Sequence, residues 1–163
     1  MKKKILIIAI VIAIIAALVI FFAMQATPGY VLNQVRAEKL EVVDGTIIVP
    51  ENYTVIDTEA FAGLAEFDSV IIRGKTEIRE RAFYGCPNLS EVIIEDDCEI
   101  GELAFGDCPE LIVVSFETAG GSCDESAFDG HGGVTILCHE GSGAHQVALI
   151  KDLNYKIIEE ETD

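Results

Sequence analysis

The sequence predicts a β-rich solenoid carried behind one membrane-spanning helix. The expected architecture is about four stacked units of 22–23 residues, with a parallel sheet along one face and short helical turns between strands. A C-terminal helix–strand cap closes it. Three observations predict this. The dipeptide Ala60-Phe61 recurs as Ala82-Phe83, Ala104-Phe105 and Ala127-Phe128, at steps of 22, 22 and 23 residues. An unbroken apolar run from Ile5 to Met24 follows Lys2, Lys3 and Lys4. All 28 acids lie beyond that run, against eight of the eleven basic residues, so the part that folds is strongly acidic.

The apolar run is 20 residues long, about 30 Å as a helix, which matches the hydrocarbon thickness of a bilayer. A cleaved signal is the alternative. Its apolar core is shorter, roughly 7–15 residues, and ends in a small-x-small pair. The exit Phe22-Ala23-Met24-Gln25-Ala26 lacks a clean one. The lysines should stay cytoplasmic, which makes the chain a single-pass membrane protein with its repeat domain extracytoplasmic. Pro28 and Gly29 break the helix. The expected divisions are residues 1–25 for the lysines and membrane helix, 26–45 for a juxtamembrane linker, 46–158 for the solenoid with its cap, and 159–163 for an acidic tail.

Further columns keep the same step. Ile56, Ile78, Ile100 and Cys123 precede each Phe by five residues. Leu64, Cys86, Cys108 and His131 follow it by three, and Phe67, Leu89, Leu111 and Val134 by six. Alternating strands come next, at Val70-Ile71-Ile72, Val92-Ile93-Ile94 and Val114-Ser115-Phe116, and Ile47-Ile48-Val49 aligns with them as a partial opening unit. A unit this short cannot enclose a core alone, so its apolar columns must stack on those of its neighbours. The Ala-Phe stretch should turn the corner as one helical turn. Gly63, Gly85 and Gly130 follow where a turn needs positive φ. The third unit reads Gly106-Asp107, an apparent shift of one residue.

Residues 78–94, Ile-Arg-Glu-Arg-Ala-Phe-Tyr-Gly-Cys-Pro-Asn-Leu-Ser-Glu-Val-Ile-Ile, resemble the BspA-type leucine-rich repeat. The likeness extends over residues 46–158. Gly141-Ser142-Gly143-Ala144, the amphipathic stretch to Leu153 and Tyr155-Lys156-Ile157-Ile158 are similar to that family's closing unit. His131 in place of a third Cys, and Cys123 in place of Ile, depart from its pattern. The resemblance implies a leucine-rich-repeat solenoid on a cell-surface or secreted protein of bacteria or protists. Some members of that family are adhesins.

Chemistry is sparse. A polyanion would be repelled by so acidic a domain, which excludes nucleic acid as a partner. Frequent apolar residues exclude disorder. Cys86 and Cys108 share one column, and stacking would set them about 5 Å apart, within the Cα range of a disulfide. Equivalent positions project in parallel, which suits buried thiols. Both states fit the sequence for Cys86, Cys98, Cys108, Cys123 and Cys138. His131, Cys138, His139 and His145 include zinc-ligand types, but adjacent strand residues face opposite sides and no known spacing is met. No metal or other cofactor is expected. Acids such as Glu95-Asp96-Asp97 have no nucleophile or base beside them and read as a solvated surface, so no catalytic residue is assigned and no enzyme is expected.

The sheet's outer face is the candidate binding face. Ile48, Ile71, Ile93 and Ser115 should point outward, with Ile112 and Val113 beside them and Arg73, Glu91, Glu95 and Glu117 at the rim. A solvated strand normally carries polar residues there, and exposed apolar patches mark binding. The bland alternative is the strand preference of β-branched residues. The expected function is a membrane-anchored module that binds a protein or glycan ligand outside the cytoplasm, for adhesion or recognition. The alternative is a structural or assembly subunit of a membrane complex, self-associating, with no external ligand.

Overall fold

The computed structural model describes residues 30–130 and 133–158. The apolar run at residues 5–24, with the membrane span read from it, lies outside the described residues, as do His131 and the acidic tail. Among the described residues, no helix is long and apolar enough to cross a membrane.

In chain order the elements are β1 (Tyr30–Leu32), α1 (Gln34–Ala37), β2 (Val42–Val43), β3 (Thr46–Val49), β4 (Tyr53–Ile56), β5 (Ser69–Ile72), β6 (Thr76–Ile78) and β7 (Glu91–Ile94). They continue as β8 (Cys98–Ile100), β9 (Val113–Phe116), β10 (Ser122–Cys123), β11 (Thr135–Cys138), α2 (Gly143–Ile150) and β12 (Asn154–Ile157). They stack as a solenoid with two sheets rather than one. A seven-stranded sheet runs β12-β11-β9-β7-β5-β3-β2, and a five-stranded sheet runs β1-β4-β6-β8-β10. All pairings are parallel except β2 with β3.

The repeat columns become the core. Val70, Ile72, Val92 and Ile94 are buried, as the alternation requires. Val70 pairs with Val92, and Ile72 with Ile94, so each column is a stack of like residues. Ile56, Ile78 and Ile100 end the strands of the second sheet and point inward from the opposite side. The rings of Phe61, Phe83, Phe105 and Phe128 form one pile, with successive centroids 4.6, 5.1 and 5.8 Å apart and planes within 11° of parallel.

The Ala-Phe stretch is not the helical turn the spacing suggests. It is a hydrogen-bonded turn whose free N–H groups reach the neighbouring coil. Phe61 N–H donates to the Ala82 carbonyl at 2.7 Å, Phe83 to Ala104 at 2.8 Å and Phe105 to Ala127 at 2.9 Å. The coil thus has a third hydrogen-bonded side. A helix would spend those donors within its own turn.

The third unit is not shifted either. Gly63, Gly85 and Gly130 adopt φ of 70°, 66° and 91°, and Asp107 takes the same place with φ 52°. Asp tolerates this left-handed region better than most residues. The Tyr84 hydroxyl donates to its carboxylate, which lifts the phenol above its ordinary range.

The N-terminal end differs from expectation. The described part of the linker expected at 26–45 is folded onto the array. β1 pairs with β4, and Leu32 and Ala37 are buried against the first coil. At the other end the expected helix and strand are present. Ser142 caps α2 by accepting from the His145 N–H at 3.2 Å, and Ala144, Val147 and Ala148 close the core.

Candidate functional site on the outer sheet face

The seven-stranded sheet presents one outward column that crosses five coils. Its register pairs Ile48 with Ile71, Ile71 with Ile93, Ile93 with Ser115, and Ser115 with Leu137. The expected frame therefore holds, with Ile48, Ile71 and Ile93 all on the outward side. Stacking covers part of each side chain. Ile48, at the end of the row, is 38% exposed, while Ile71 and Ile93 are half-buried between neighbours.

Ser115 is a departure. It points outward yet is only 9% exposed, because it is short between larger neighbours and its hydroxyl donates to Glu117 at 2.6 Å. The ridge therefore dips there and rises again at Leu137, which the sequence reading left out. Leu137 sits in Ile136-Leu137-Cys138, where a cysteine replaces the last branched residue and hides the strand pattern. Of the two flanking residues, Ile112 is 64% exposed and Val113 half-buried.

The rim is charged and partly paired. Arg73 and Glu95, on adjacent coils, approach to 3.7 Å. Glu91 and Glu117 are exposed, and a ring nitrogen of His139 lies 3.1 Å from the Glu117 carbonyl oxygen. Exposed pairs of this kind contribute roughly 0–1 kcal/mol to stability. Their effect is to set a mainly negative border around an apolar ridge.

The second sheet of the same coils serves as an internal comparison. Its outward column reads Val31, Val55, Glu77, Glu99 and Ser122. Arg79 spans Glu77 at 2.9 Å and Asp57 at 3.0 Å, and these contacts raise its guanidinium further. An open hollow of about 430 Å³ lies on this side, lined in part by Lys75, Asp97 and Cys98. Asp97 is held below the usual carboxylate range by the Thr118 hydroxyl and by Lys75, 3.5 Å away. Burial pushes the Cys98 thiol up to about 11, so it stays protonated at neutral pH.

The five cysteines are thiols. Cys86 Sγ donates to the Phe61 carbonyl and Cys108 Sγ to the Phe83 carbonyl, each at 3.1 Å. Contact with the Cys108 sulfur, and burial, push the Cys86 thiol up. Cys138 is fully buried in the inward column that also holds Phe116. Cys123 is partly covered, and burial pushes its thiol up to about 12.

Compared with known families, residues 45–137 match the BspA type leucine rich repeat region (6 copies). No curated protein and no solved structure matches the chain. The match spans more than half of the sequence, and it covers the coils whose Ala-Phe and Leu-x-x-Val-x-Ile columns build the core described above. The chain belongs to the BspA-type leucine-rich repeat family.

Proposed function

We propose that the chain is a non-enzymatic recognition module, tethered to a membrane by residues 5–24 and displayed outside the cytoplasm. It binds a protein or glycan through the outward column of the seven-stranded sheet. The contrast between the two sheets is the observation that supports this reading. The same coils supply both outward columns, under the same strand preferences. One turns charged and polar after its first two strands, with Glu77, Glu99 and Ser122 following Val31 and Val55. The other is mainly apolar, Ile48, Ile71, Ile93 and Leu137, interrupted by the short Ser115 and ending at Lys156. Strand propensity alone predicts no such difference. The acidic rim favours a partner whose matching surface is apolar at the centre and basic at the edge, with binding that weakens as salt rises.

The test is the double change Ile71→Thr and Ile93→Thr in the segment 27–163. Both side chains are only half-buried, and threonine keeps the branched shape that strands favour. The fold should lose no more than about 1 kcal/mol per site in a urea melt. Binding to whichever surface protein, matrix protein or glycan the unaltered segment captures should be lost. Retained binding by a folded double variant would move the binding face elsewhere.

The tether has its own test. Protein extracted from membranes should have an intact mass near 17.7 kDa. A species beginning near residue 27 would show that the apolar run is a cleaved signal.

A further inference from the structure

Both ends of the seven-stranded sheet have an open edge among the described residues, β2 with Val42 and Val43 37% and 56% exposed, and β12 at the C-terminal side. β12 is the last strand of the seven-stranded sheet, and its outer edge has no neighbouring strand among the described residues. Tyr155 and Ile157 continue the inward columns, paired with Ile136 and Cys138, both fully buried. Tyr155 and Ile157 are nevertheless 41% and 39% exposed. The Tyr155 ring packs on His145 of α2 at 4.9 Å. One helical turn beyond His145 stands Leu149, 55% exposed. Core-type side chains thus lie uncovered beside an unpaired edge, an arrangement that natural sheets normally block.

Two features point to a second copy of this chain as the occupant. The first is charge. Most of this acidic protein would repel its own copy, but the capping segment 141–158 itself holds two lysines and one acid, the four acids of residues 159–163 following beyond the strand. The second is backbone direction. The Ile158 N–H donates to the Cys138 carbonyl, so Ile158, Lys156 and Asn154 turn their backbone groups toward β11. Tyr155 and Ile157 therefore turn theirs to the open edge. An antiparallel pair centred on Tyr155 lets both copies of that residue exchange N–H to carbonyl bonds. In that register Lys156 stands opposite Asn154 of the second copy, and Ile157 opposite Leu153. Centring on Lys156 instead would oppose two like charges.

We propose that two copies of the chain join edge to edge through β12, about a two-fold axis at Tyr155, and extend the sheet across the dimer. The outward ridge of each copy stays open, on one continuous surface.

The test uses the full chain in mild detergent. Light scattering should show a dimer, and Ile157→Lys should weaken association at least tenfold with an unchanged far-UV circular dichroism spectrum. Tyr155→Cys, oxidised by copper–phenanthroline, should give a covalent dimer of twice 17.7 kDa, while Val43→Cys at the opposite end should not. A monomeric unaltered chain would overturn the proposal, as would cross-linking at residue 43 but not 155. Ile71→Thr with Ile93→Thr should leave the dimer intact. Dissociation by that variant would make the ridge the interface and overturn β12 pairing.

Discussion

Replacing Phe83 with alanine should destabilise the segment 27–163 by about 3–5 kcal/mol, a large share of what a domain of this size holds. Phe83 is fully buried, with Phe61 4.6 Å away on one side and Phe105 5.1 Å away on the other. The ring fills the space between the two sheets, and adjacent coils cannot close that space because their spacing is set by hydrogen bonds. Part of the loss is therefore a cavity that persists. The rest is transfer free energy and two ring contacts, each about 0.5–1.5 kcal/mol. The same change at Phe128, the last described ring of the pile, removes only one such contact and should cost less. Urea titration of the two variants measures both. A loss below about 1 kcal/mol at Phe83 would contradict the stacked core.

Alanine at Gly121 should cost roughly 3 kcal/mol, and alanine at Gly85 only about 1 kcal/mol, although both glycines sit at positive φ, 85° and 66°. The difference is in what the new methyl meets. At Gly85 there is nothing within 4 Å. At Gly121 the added carbon would lie 2.1 Å from the Cys98 carbonyl oxygen, with the Cys98 nitrogen at 2.9 Å. Those are backbone atoms of β8, held in its ladder, and they cannot swing aside as a side chain would. Relief requires β10 to part from β8, where only Ser122 and Cys123 pair with it. A thermal melt compares the two variants directly. Equal small losses would mean that the last coil shifts freely.

The core was legible because its signal is redundant. Each inward column repeats a similar residue at one step, so Phe83 or Val92 could be placed without knowing any contact. The second sheet was not legible. Its strands have two to four residues, and Thr76-Glu77-Ile78 is too short for a period-two pattern to stand out. The opening cap was missed for another reason. Tyr30–Leu32 pairs with β4, but the segment has no copy among the repeats, so comparing the chain with itself cannot reveal it. On the candidate face, the direction of Ile71 and Ile93 followed from alternation. Their partial coverage, and the burial of Ser115, did not, because exposure depends on the size of the residue one coil away. The left-handed Asp107 was masked by the adjacent Gly106, which looked like the natural occupant of that turn.

The three hydrogen-bonded sides of the coil have a consequence for how this chain can change length. Between successive coils each rung joins a residue to its counterpart about one unit further along, as in Ile71 to Ile93 or Phe83 to Ala104. Removing or duplicating one whole unit brings equivalent side chains back into line on all three sides at once. Removing half a unit opposes a strand to a turn, so neither the ladders nor the pile of phenylalanine rings meet their counterparts. Viable lengths for such an array are therefore discrete, spaced by a single coil. Gene changes that preserve the fold act on whole coils, while the two end caps, which have no counterpart in the array, set where it starts and stops.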